Sequence, residues 1–166
     1  MTAPRILVVC TANICRSPVA EKLLQTRLAH AGLADWTVAS AGTWAAEGHT
    51  AAPFSMELMA ERGLDINPHR SQPVTESLMQ QVDLVICLET NHAETLRHAY
   101  PNDAFKIETL RGVAGEQGSV ADPYGRSRRQ YQQMVTEVHD LIEAGFSHIQ
   151  VLARENFKRR NEDGSS

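Results

Sequence analysis

The stretch "RILVVCTANICRSPVAEKLLQTRLAHAG" spans residues 5–32, and the rest of the chain is read from it. It opens on a continuous apolar run (5–9), the pattern of a strand buried on both faces of a parallel sheet. From about Pro18 the period changes: Val19, Leu23, Leu24, Leu28 and Ala31 recur at helical spacing, and Gly32 supplies a stop. Ser17 is placed to cap that helix, with Pro18 at its first position. Between strand and helix lie Cys10, Asn13, Cys15 and Arg16. A turn of this kind aims unsatisfied backbone N–H groups and the positive end of the helix dipole at one point, which suits an anion.

The alternation continues. "WTVAS" (36–40) reads as a second strand, and Pro53 to Arg62 as a helix ended by Gly63. "DLVICL" (83–88) reads as a third strand, followed by a helix that Thr90 caps and Pro101 bounds. "AFKIETL" (104–110) is the fourth strand, and residues 111–125 form a loop by their Gly and Pro content. A last helix starts near Arg126, with Tyr131, Met134, Val135, Val138, Leu141 and Ile142 along one stripe. Residues 147–157 either extend that helix or pack separately. These elements predict an α/β fold, a three-layer αβα sandwich around a four-stranded parallel sheet in the order 2-1-3-4. One domain is expected over residues 1–158, with 159–166 as a solvated, mobile tail. Ligands of such sheets bind beyond the carboxyl ends of the strands, where strand order reverses. The loops 10–17, 40–48 and 111–125 should therefore gather on one edge.

The net charge of −4 leaves no basic footprint for nucleic acid or an anionic membrane. Apolar runs such as "ILVVC" and "LVICL" are strand-sized, so no membrane span is expected, and "MTAPR" with its short apolar run is too short for a signal peptide. Three cysteines make no disulfide framework and point to a reducing, cytoplasmic setting with thiols free for chemistry. The histidines lack metal-ligand spacing, so neither a metal nor a cofactor is expected.

Within the first loop, Asn13 tolerates the left-handed conformation that a tight turn needs, and Arg16 offers a planar fork for two phosphate oxygens. Cys10 ends the strand below the loop amides, where the field that attracts phosphate also stabilises an ionised sulfur. Ser17 is near enough in sequence to donate a hydrogen bond to that sulfur. A thiolate beside a bound phosphoryl group suggests covalent catalysis.

This Cys-x5-Arg-Ser pattern, extended through "CTANICRSPVAE" and joined by a distant "DPYG", resembles the low-molecular-weight protein tyrosine phosphatase family over about residues 4–145. The resemblance implies hydrolysis of phosphotyrosine proteins or peptides through a phosphocysteine, with inorganic phosphate as product. Cys10 is then the nucleophile, and Thr11, Ala12, Asn13, Ile14, Cys15, Arg16 and Ser17 wrap the phosphate. Asp122 takes the place of the general acid, with Pro123 stiffening its turn and an apolar neighbourhood keeping it protonated. Ser40 and His69 match positions that brace the loop through Asn13. Tyr124 walls the cleft, as a single aromatic where some relatives carry two. Trp44 either stacks on the substrate ring or anchors its own loop. The family often pairs two loop cysteines, which implies a reversible Cys10–Cys15 disulfide. Cys87 reads as core.

Four rivals are weaker. A thioredoxin-coupled arsenate reductase of the same architecture needs relay cysteines, and only Cys87 lies in the relevant region. Protein-arginine phosphatases resembling this chain tend to carry threonine before the second loop cysteine, where this chain has Ile14, an apolar contact better suited to an aryl group. A phosphocysteine carrier would not keep a water-activating Asp122, and a pure binding module would need neither Cys10 nor Asp122.

Overall fold

A computed structural model describes residues 3–164. At its centre is β1 (Arg5–Cys10), whose side chains alternate between two hydrophobic clusters. Ile6, Val8 and Cys10 face one, and Leu7 and Val9 the other. The apolar run is unbroken because both faces are covered. Strand β2 (Thr37–Gly42) pairs with β1 from Arg5↔Thr37 to Cys10↔Gly42. On the other side β3 (Leu84–Cys87) pairs with β1, and β4 (Ile107–Thr109) with β3. The sheet is parallel throughout, in the expected order 2-1-3-4.

Helices α1 (Arg16–His30), α2 (Pro53–Glu61), α5 (Leu110–Val113) and α6 (Arg128–Asp163) cover the face of Ile6 and Val8. Helices α3 (Glu76–Gln81) and α4 (Thr90–Ala99) cover the other through Met79, Ala93 and Leu96. The chain leaves β1 for β2 on one side and returns to β3 on the other. The carboxyl end of β1 is therefore the point where strand order reverses. The loops after all four strands meet there. Gly42, opposite Cys10, makes that approach possible: a Cβ on it would lie 2.3 Å from the Thr11 carbonyl oxygen. Among the described residues no helix is long and apolar enough to cross a membrane.

Several elements differ from the sequence reading. Helix α1 starts at Arg16 with Cys15 at its cap position, so Ser17 is inside the helix rather than capping it. The Ser17 hydroxyl is instead turned toward Cys10. Glu89, not Thr90, sits at the cap position of α4. The fourth strand shrinks to three residues because Pro101–Lys106 winds into a 3₁₀ turn, with the buried Lys106 ammonium donating to the carbonyls of Met79 and Val82. Short helices α3 and α5 occupy segments without a clear period. Each is started by a threonine hydroxyl, Thr75 accepting from Leu78 N and Thr109 from Gly112 N.

Helix α6 begins with a capping box between Ser127 and Gln130 and takes in residues 147–157. It also runs through 159–163, where a mobile tail was expected. Arg160 binds both oxygens of the buried Asp83 carboxylate, at 2.6 and 3.1 Å, and Arg159 lies over the Phe105 ring at 3.9 Å. Residues 165 and 166 of that tail fall outside the described residues.

Candidate active site

The loop after β1 closes on itself because Asn13 adopts φ 60°, the left-handed turn expected of it. Its carbonyls are turned outward and tied to the surroundings. Cys10 O accepts from Thr43 N (2.9 Å), Thr11 O from Trp44 N (2.9 Å) and Ile14 O from Ala52 N (2.8 Å). Asn13 O accepts from His69 Nε2 (2.6 Å) and Cys15 O from Ser55 Oγ (3.1 Å). With these carbonyls facing out, the intervening N–H groups line the concave side, continuous with the N-terminus of α1. That is an anion nest.

The Asn13 side chain, fully buried, locks the turn. Its amide Nδ2 donates to Ser17 Oγ (2.7 Å) and Ser40 Oγ (2.9 Å), and Oδ1 accepts from Gln72 N (3.0 Å). Because Nδ2 can only donate, Ser17 Oγ accepts there and keeps its own proton for Cys10 Sγ, 2.9 Å away. Cys10 is buried at the floor of the nest and thus meets a donor from below as well as amides around it. Ser40 in turn bonds to the Glu21 carboxyl, which burial pushes above the usual carboxylate value. Burial likewise lowers His69, whose Nε2 donates to Asn13 O.

Arg16 is 1% exposed. Its Nη1 donates to Val120 O (2.8 Å) and contacts Glu89 Oε2 (3.2 Å), and its Nη2 lies 3.6 Å from Asp122 Oδ2. Asp122 does not have the apolar neighbourhood expected of it. Its side chain is 44% exposed, with Oδ1 accepting from Tyr124 N and Oδ2 facing the guanidinium.

Cys10, Thr11, Ala12, Ile14, Cys15, Arg16, Trp44, Asp122 and Tyr124 line one cavity of about 270 Å³, while Asn13, Ser17, Ser40 and His69 stand behind it. Trp44 is 87% exposed and Tyr124 67%, so both rings rise as walls at the mouth and Trp44 does not anchor its loop. Larger surface hollows lie along α6 and beside α2, but no cysteine lines them. Cys15 Sγ lies 3.4 Å from Tyr131 Oη, and burial pushes its thiol up to about 11. Cys87, buried in β3, is pushed up to about 12 by the same cause.

Sequence reasoning missed Glu89 and His92. They are three residues apart at the start of α4, and neither carries a motif. His92 is buried, with Nε2 2.8 Å from Thr11 Oγ1 and 2.9 Å from Glu89 Oε2. Burial lowers it to about 4; Arg16 adds to the shift and Glu89 opposes it. A folded-state value below the unfolded 6.5 means that the unfolded chain takes up this proton first as pH falls. Stability contributed here is present above about pH 6.5 and is lost toward pH 4. Melting temperatures recorded between pH 7 and 4 should fall more steeply for the native chain than for His92→Gln.

The chain matches the model of the family described as low molecular weight phosphotyrosine protein phosphatase over residues 5–157. It is 36% identical over 138 residues to a protein-arginine-phosphatase of Bacillus subtilis, covering 82% of this chain and 91% of that one. It is 34% identical over 165 residues to a low molecular weight protein-tyrosine-phosphatase of Streptomyces coelicolor, covering 94% and 97%. The solved low molecular weight protein tyrosine phosphatase of T. tengcongensis superposes with a TM-score of 0.83 at 35% identity, over 88% of this chain and 99% of the other. With a cysteine and an arginine set in an anion nest at the switch point of the same fold, this chain belongs to the low molecular weight protein-tyrosine-phosphatase family of cysteine-dependent hydrolases.

Proposed function

We propose that this chain hydrolyses phosphotyrosine in proteins or peptides, with Cys10 as nucleophile, Arg16 and the loop amides as the oxyanion cradle, and Asp122 as acid and then base. The observation that carries the reading is the Cys10–Ser17 contact of 2.9 Å beneath an amide nest that shares its cavity with Arg16 and Asp122. The Cys10 sulfur attacks phosphorus in line. The ester bond breaks as Asp122 gives its proton to the departing phenolate oxygen, while Arg16 and the amides follow the charge on the three remaining oxygens. Asp122, now ionised, takes a proton from the water that attacks the phosphocysteine, releasing phosphate and the thiolate. Ser17 donates to the sulfur at the start and again when it leaves.

Ile14 supports an aryl substrate. It is an apolar side chain in the cavity wall, below the rings of Trp44 and Tyr124. A phenyl ring loses nothing against it, whereas a guanidinium would leave N–H groups unpaired there. Initial rates on phosphotyrosine and phosphoarginine peptides test this. The native chain should prefer phosphotyrosine, and Ile14→Thr should move the ratio toward phosphoarginine by about tenfold or more. A native preference for phosphoarginine would reverse the assignment.

Cys10 and Cys15 also support a redox switch in a reducing, cytoplasmic setting, since both are free thiols on one cavity. Peroxide oxidises the Cys10 thiolate to a sulfenic acid, and the Cys15 thiol condenses with it, releasing water and forming the disulfide. Activity lost to peroxide should return with dithiothreitol in the native chain but not in Cys15→Ser. Equal recovery in both would remove Cys15 from the switch.

A further inference from the structure

Five N–H groups of Arg16 need partners, and their distribution is uneven. Nη1 is committed to Val120 O at 2.8 Å and Glu89 Oε2 at 3.2 Å. Nε, buried, has no partner among the described residues, and Nη2 has only a long 3.4 Å contact with Thr11 Oγ1 besides its 3.6 Å approach to Asp122. The Nε and Nη2 N–H groups share one edge of the guanidinium plane, the edge that takes two oxygens side by side. A nearby carboxylate ordinarily occupies such an edge itself. Glu89 does not, because the same Oε2 that touches Nη1 also lies 2.9 Å from His92 Nε2.

We propose that Glu89 and His92 form a positioning pair that holds Arg16 by Nη1 alone and keeps its Nε–Nη2 edge open for the phosphate. This rests on the reading of Arg16 as part of the oxyanion cradle. His92 donates from Nε2, since a lone pair there would face the Glu89 carboxylate; Nδ1 is then the bare nitrogen, and in its buried setting it has no partner among the described residues. The same Nε2 lies 2.8 Å from Thr11 Oγ1, so the imidazole also fixes the loop side chain next to the nucleophile. Neither residue touches the phosphate; both act through Arg16. Without the imidazole, Glu89 is free to rotate and take the edge that the oxyanion needs.

The test uses the full chain, p-nitrophenyl phosphate as substrate and inorganic phosphate as inhibitor. His92→Ala should lower kcat/KM about 10- to 100-fold and raise the phosphate inhibition constant about tenfold. Iodoacetate should still alkylate its Cys10 within about twofold of the native rate, showing an intact loop. His92→Gln, whose amide nitrogen reaches the place of Nε2, should recover kcat/KM to within about threefold. The decisive variant is Glu89→Gln added to His92→Ala, which should be more active than His92→Ala because the anionic competitor for Arg16 is gone. An unchanged phosphate inhibition constant in His92→Ala, a double variant worse than the single, or loss of alkylation would each overturn the pairing. If the native chain fails to turn over the substrate yet binds phosphate, the phosphatase reading falls, while the phosphate dissociation constants of the native chain and His92→Ala measured by calorimetry still judge the pair.

Discussion

Replacing Cys10 by serine should abolish turnover of p-nitrophenyl phosphate, by at least roughly 10⁴-fold, while leaving phosphate binding in place. The nest is built from outward-turned carbonyls, the Asn13 network and Arg16, none of which needs the sulfur. Serine is smaller than cysteine and its hydroxyl can still accept from Ser17, so the buried position tolerates it. What disappears is the sulfur, which attacks phosphorus and leaves it more readily than a serine oxygen does. Phosphate binding followed by calorimetry should be within a few-fold of the native chain. Residual turnover above about a thousandth of native would place the nucleophile elsewhere.

The second large effect belongs to Asp122→Ala, expected to lower kcat by about 10²- to 10⁴-fold. The loss should depend on the leaving group. p-Nitrophenolate departs without much help, whereas an unactivated phenyl phosphate needs the proton, so the deficit should widen from the first substrate to the second. Oδ2 stands 3.6 Å from Arg16 Nη2, and removing it takes one carboxylate away from the guanidinium. Phosphate inhibition should therefore be as tight as native or tighter. A deficit equal for both substrates, accompanied by weaker phosphate binding, would mean that Asp122 serves binding rather than proton transfer.

The parts of the site that are local in sequence were legible there. The strand, the left-handed Asn13, the fork of Arg16 and the hydroxyl of Ser17 lie within a dozen residues, and steric and hydrogen-bonding preferences of single side chains already force a cradle. Ser17 shows the limit of such reading. Its type and position suit a helix cap, yet the tight turn at Asn13 brings the chain into the helix two residues earlier and sends the hydroxyl to Cys10 instead. The end of α6 shows another limit. A basic, polar segment reads as solvated, but Asp83, some 77 residues away, holds Arg160, and the helix runs on to Asp163.

By itself, then, the order of residues determined the alternating strands and helices, the parallel sheet and the phosphate-binding turn, because periodicity and turn chemistry act between near neighbours. Only the folded chain decided that Asp122 stands in the open beside Arg16, that Trp44 is a wall, and that Glu89 and His92 stand behind the guanidinium. Those choices depend on contacts between residues from about 70 to more than 100 positions apart, and on burial, which no single segment carries.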